Sequence, residues 1–248
     1  MKQTCVKVKR LPVLVALSLA IIMFACAWLV GFVAIAHADG TSFDRDWSQT
    51  VSVSNSSFSE TGSGEPATPS SWTGTALNTN SYAKSGVVNT SEYSGYNTEK
   101  KDKYGLANDF VTNPQDGDYT DKDNKVLFIN ATSLSAAYGY SSSDVTFEKS
   151  AYYRISVYVK TDNITAGSGA SVTVSGLKDE NVGIVGIKTN SEWEHYTLYL
   201  ATSSLKSSTG KIVLGLGSDK ASDTCIGAVL FDQLKVERIS AHKFFSEV

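Results

Sequence analysis

The chain has 248 residues, 22 of them Lys or Arg and 25 Asp or Glu. Four of the basic residues and none of the acidic ones fall in the first 38, leaving 22 − 4 = 18 bases against 25 acids in residues 39–248. That acidic balance lacks the clustered cations that phosphate binding needs, so no nucleic-acid partner is expected. Apolar content of 42%, aromatic content of 10% and only four prolines exclude a disordered or proline-rich stalk, and the length after residue 38 suits one sizeable β domain.

Lys2, Lys7, Lys9 and Arg10 precede an uncharged apolar run over residues 11–36, which meets Ala36-His37-Ala38. A charged, then apolar, then A-x-A order marks residues 1–38 as a secretory segment. The run would be about 39 Å long as a helix, longer than a usual secretory h-region, so a cleaved signal peptide and an uncleaved signal anchor both fit. In either case the basic flank stays inside, and residues 39–248 are expected outside the cell, secreted or held to the membrane by this hydrophobic export helix. Cys5 and Cys26 fall within it, which leaves Cys225 as the one cysteine of the exported part. No intramolecular disulfide is then available, and Cys225 reads as a small core residue.

Residues 39–50 are mostly polar and read as a linker. Val51-Ser52-Val53-Ser54 alternates as a half-buried strand does. Residues 61–109 are dense in Ser, Thr, Gly and Asn with scattered aromatics, which predicts long loops with short strands at most. Further strands are expected at 126–129, 134–140, 145–147, 153–160, 171–174, 182–187, 196–200, 212–216 and 228–236. In the fourth of these, Tyr153, Ile155, Val157 and Val159 share the buried face, while Arg154, Ser156, Tyr158 and Lys160 share the other. Short strands at this spacing, without helical periodicity beyond the export segment, predict an all-β, two-sheet antiparallel sandwich over residues 51–240, with a tail at 241–248. A chain ending so soon after its last strand is also compatible with a piece of something longer.

Asn55-Ser56-Ser57-Phe58, Pro69-Ser70-Ser71-Trp72, Tyr153-Arg154-Ile155-Ser156-Val157-Tyr158-Val159-Lys160, Trp193 and Val229-Leu230-Phe231-Asp232 follow one another in order. This succession resembles the jelly-roll carbohydrate-binding modules of the galactose-binding-like superfamily, over roughly residues 51–240. The resemblance implies a non-catalytic domain that binds glycan across a concave sheet face or at rim loops. It also implies a structural calcium held by a Glu after the opening Phe and by the Asp of the closing strand. Asp232 matches the second position; Glu60 stands one residue beyond the first, so that a strand bulge would be needed to restore it.

Stacking on a sugar ring needs a flat aromatic flanked by hydrogen-bonding side chains. Tyr158 and Arg154 qualify because both project away from the core face. Tyr138 and Tyr140 share one face around Gly139, where a ligand could approach closely. All four are expected ligand-binding residues, and sheet-covering rings or a cross-strand ion pair would account for them equally. Trp72 and Trp193 read as packing residues. The run Asp116-Gly117-Asp118-Tyr119-Thr120-Asp121-Lys122-Asp123 lacks the Gly and Glu of a helix-loop-helix calcium site and reads as a solvated acidic turn. The sequence holds no G-x-S-x-G elbow, H-E-x-x-H pair or phosphate-cradling Gly loop, so catalysis is not expected, although a pair of glycosidase carboxylates leaves no sequence signature. The runner-up is a structural or adhesive ectodomain on the same sandwich, with no sugar site.

Overall fold

A computed structural model describes residues 46–81, 83–93, 104–107, 109–220 and 222–248. The export segment, Cys5, Cys26 and most of the linker lie outside the described residues. The strands are β1 (Ser48–Val51), β2 (Trp72–Ser81), β3 (Lys84–Asn89), β4 (Lys125–Ser142), β5 (Val145–Thr146), β6 (Tyr152–Ala166), β7 (Ala170–Ser175), β8 (Val182–Ile187), β9 (Glu194–Ala201), β10 (Thr209–Leu216) and β11 (Cys225–Ile239). A short helix, α1 (Ala241–Glu247), replaces the expected tail, and β1 begins inside the stretch read as linker.

Every strand pairing is antiparallel, and hydrogen bonding runs in the order β8-β7-β10-β4-β11-β6-β9. In a flat sheet, β7 and β6 would stand about 19 Å apart, four inter-strand steps of ~4.8 Å. Yet Val172 and Val174 of β7 share one buried cluster with Val157 and Val159 of β6. The ribbon therefore folds over on itself into two layers around a common core, the sandwich that the alternation predicts.

The fold-over is made by β4, which has 18 residues. Its first half pairs with β3 and β11 and its second half with β2 and β10. Leu127, Ile129 and Ala131 point into the core from the first half, and Ala136 and Tyr140 from the second, so the inward parity reverses along the strand. Strands β2 and β3 lie in the region expected to be loops. Their sequences are too polar to show alternation: beyond Trp72 at the start of β2, the buried apolar residues described in them are Val87 and Val88 of β3.

The outer face of the β3-β4-β11 region is also covered. Tyr93, Tyr104, Leu106, Phe110 and Val111 pack over Val126, Phe128 and Leu230 in a second apolar cluster. Lys160 is buried at its margin, its ammonium donating to Thr112 Oγ1 (3.2 Å) and lying over the Phe110 ring. This covering stops short of the β11-β6-β9 end, where the same face stays open. Trp72 and Trp193 both pack: Trp72 lies against Phe58 in the main core, and Trp193 Nε1 donates to the Thr112 carbonyl. Cys225 is buried, as expected of a core thiol.

Candidate functional site

The open part of this face forms a groove of about 450 Å³. Its floor is an array of three rows set by strand register. Glu237, Arg154 and Tyr199 lie abreast on β11, β6 and β9; Lys235, Ser156 and Thr197 form the next row; Tyr158 and His195 form the third. The pairing of β11 with β6 slips between Asp232 and Lys235. Gln233 there takes a left-handed backbone (φ 44°), and this bulge puts Asp232 and Gln233 on the same side of the sheet.

That side is where the acidic turn lands. Tyr119 donates its hydroxyl to Asp232 Oδ2 (2.6 Å), and the Thr120 N–H donates to Gln233 Oε1 (2.8 Å). The turn is thus fastened to the sheet rather than merely solvated, and Asp118 forms one wall of the groove.

Tyr158 lies at the base of the groove and is 2% exposed. Tyr119 meets its ring edge-on at 5.7 Å, and His195 stacks over it. Its hydroxyl is buried with no hydrogen-bond partner among the described residues. Asp116 lies near it and acts on it as a charge and a nearby acceptor, outside the geometry of a regular hydrogen bond. Burial, with the Asp116 and Asp118 carboxylates, pushes the Tyr158 pKa up to about 12. Burial holds the His195 pKa below its ordinary value; Arg154 and Lys235 add to this, and Asp116 and Asp118 oppose it. The imidazole is therefore neutral at pH 7.

At the other end Arg154 lies between two carboxylates. Glu237 accepts from its Nε (3.0 Å) and Nη2 (2.7 Å), and Glu247 of α1 accepts from Nη1 (3.1 and 3.2 Å). Lys235 also pairs with Glu237 (3.0 Å). Burial alone would raise the Glu237 pKa, but hydrogen bonds from Arg154 and Lys235 outweigh it and hold it below the usual carboxylate range. The ion pair foreseen for Arg154 is present, and it lies in the groove.

Of the expected ligand-binding residues, the structure brings Arg154 and Tyr158 together and places Tyr138 and Tyr140 elsewhere. Those two rings meet edge-on at 5.9 Å and turn toward the main core, opposite Leu216 and Leu214 of β10. Tyr140 is buried, with its hydroxyl 3.1 Å from Ser85 Oγ, and both rings lie against Gly74 of β2. They are packing residues because β4 reverses its parity before reaching them.

The two residues of the expected calcium pair differ in their surroundings. Glu60 is exposed, and its backbone N–H and C=O are held by the Asn55 side chain. Asp232 is fully buried, accepting from Tyr119 and from the Gln233 N–H (2.7 Å). Burial and the neighbouring Asp121 and Asp123 carboxylates push its pKa up to about 8, despite those hydrogen bonds. Among the described residues no three His, Cys, Asp or Glu side chains gather as a metal group.

His195, Tyr199, Lys235 and Glu237 went unrecognised in the sequence as groove residues. Their signal was present in the alternation of Glu194-His195-Tyr196-Thr197-Leu198-Tyr199-Leu200. Tyr196, Leu198 and Leu200 face the core, which turns His195, Thr197 and Tyr199 outward.

No family model matches the chain, and no curated protein does. Among solved structures, the apo form of a cyclase from Fischerella sp. is 12% identical, with a TM-score of 0.51 over 77% of this chain and 96% of its own. The enzymatically active domain of tailspike protein 4 of bacteriophage CBA120 is 13% identical, with a TM-score of 0.48 over 75% of this chain. The module TmCBM61, in complex with β-1,4-galactotriose, is 12% identical, with a TM-score of 0.43 over 77% of this chain and 99% of its own. The chain spans about a fifth of the tailspike chain, 21%. At these identities the likeness is one of fold: the chain carries an antiparallel β-sandwich.

Proposed function

We propose that this chain is a non-catalytic carbohydrate-binding module, exported from the cell, whose glycan lies in the groove across β11, β6 and β9. The observation that carries the reading is the buried, unpartnered Tyr158 hydroxyl at the base of an open groove. A buried polar group without a partner costs about 1–3 kcal/mol, a cost that a ligand hydroxyl reaching the base of the groove would remove. Around it stand a neutral, exposed imidazole, the half-exposed Tyr199 ring, and the Gln233 and Thr197 side chains. Apolar ring faces beside fixed polar groups are what binding a sugar's C–H face and hydroxyls requires. The groove is open-sided, as an extended chain of sugars would need.

The test is a glycan-array screen of the intact protein, followed by titration of the hits against a Tyr158→Phe variant. Saturable binding that weakens in the variant supports the reading. The packing of the buried Tyr140 and half-buried Tyr138 against the main core favours the structural or adhesive alternative for the other layer of the sandwich. Silence across the array from a folded protein would extend that alternative to the whole chain.

A further inference from the structure

Helix α1 lies outside the sheet but is built into the groove's end. Ser240 caps it by accepting from the Lys243 N–H (3.0 Å). Phe244 packs on Tyr152 with ring centroids 4.6 Å apart and meets Tyr199 edge-on at 6.0 Å. This docking delivers Glu247 to two groove residues at once: its carboxylate accepts from Arg154 Nη1 and from the Tyr199 hydroxyl (2.9 Å).

The consequence is electrostatic. Arg154 and Lys235 are the cations lining the groove, and both are already paired with Glu237. Glu247 covers the guanidinium nitrogen that Glu237 leaves free. An incoming carboxylate would have to displace Glu247 while facing Glu237 and Asp118, and a charge-assisted hydrogen bond is about twice as strong as a neutral one.

We propose that Glu247 is a specificity-determining residue: it occupies the carboxylate position at Arg154 and Tyr199, closes the groove to acidic glycans and reserves it for uncharged ones. This inference rests on the groove being a glycan site. Glu247 itself marks how a ligand carboxylate would lie, against Arg154 Nη1 and the Tyr199 hydroxyl.

The experiment titrates the intact protein with uncharged gluco-, xylo- and galacto-oligosaccharides and with oligogalacturonate, for wild type, Glu247→Ala and Glu247→Gln. Thermal melts check that each variant is folded. Wild type is expected to bind its best uncharged ligand at least about tenfold more tightly than oligogalacturonate. Glu247→Ala should shift that ratio about tenfold toward oligogalacturonate, with the new binding weakened by salt. Glu247→Gln keeps an acceptor for Tyr199 but loses the charge, and should shift the ratio in the same direction. A wild-type preference for oligogalacturonate, or an unchanged ratio in both variants, overturns the role of Glu247 while leaving the groove a glycan site. No binding of either class by folded wild-type protein overturns the glycan reading, and this inference with it.

Discussion

His195 lies flat on Tyr158, ring centroids 4.5 Å apart and planes 17° from parallel. The pair makes a two-layer aromatic step in the groove, with the imidazole on the exposed side and the phenol sealed beneath it. His195, and not Tyr158, is therefore the ring whose face is exposed in the groove.

The step is sensitive to pH. The His195 pKa is lowered on folding by burial and by Arg154 and Lys235, against Asp116 and Asp118. A base whose pKa is depressed in the fold contributes stability that is fully present above its unfolded value, about 6.5, and is lost as pH falls through the window down to the folded value. Thermal melts between pH 8 and pH 5 should show that decline in wild type and a shallower one in His195→Gln. Equal slopes would show that the imidazole titrates as it does in the unfolded chain.

Tyr158→Phe removes a buried hydroxyl that has no partner. Its stability should be unchanged or raised by up to about 1 kcal/mol, while glycan affinity falls about five- to tenfold. Chemical denaturation and titration of the same samples check both. A large loss of stability would mean that the hydroxyl is satisfied in solution.

Arg154→Ala leaves Glu237, 5% exposed, with Lys235 alone and removes one of the two partners of Glu247. The expected cost is about 1–2 kcal/mol, or roughly 2–8 °C in Tm for a domain of this size, measured by thermal melting. An unchanged Tm would show the ion-pair network to be energetically neutral.

Asp121 and Asp123 each bury one carboxylate oxygen without a hydrogen-bond partner, and both raise the pKa of Asp232. Asp121→Asn should relieve this repulsion and stabilise the protein by about 0.5–1 kcal/mol, roughly 1–4 °C, in melts run with chelator. Destabilisation seen with calcium and absent with chelator would instead assign these oxygens to the ion that the family resemblance implied.

How far the sequence revealed the site depended on the range over which each feature is set. Period-two alternation within residues 153–160 identified Tyr158 and Arg154 as outward-facing, because parity inside one regular strand is local. The same reasoning showed that Tyr138 and Tyr140 share a face but not which one, since β4 reverses its inward parity between Ala131 and Ala136 as it passes from one layer to the other. The acidic turn was recognisable as a turn; its attachment through Tyr119 to Asp232 spans 113 positions and leaves no local pattern. Strands β2 and β3 were hidden by their polar composition, for tertiary pairing with β4 decides their conformation. Helix α1 holds Glu247 against Arg154 across 93 positions, again beyond the reach of any window.

If the β11-β6-β9 groove is the glycan site, the double variant His195→Ala/Tyr199→Ala should lose binding while keeping its fold. Neither side chain contributes to the buried core clusters, so the fold should survive, as a thermal melt would verify. Titrated with the best uncharged oligosaccharide found for wild type, the double variant is predicted to lose at least about 30-fold in affinity, about 2 kcal/mol. Affinity equal to wild type in the folded double variant would contradict the account and put the binding surface elsewhere on the sandwich.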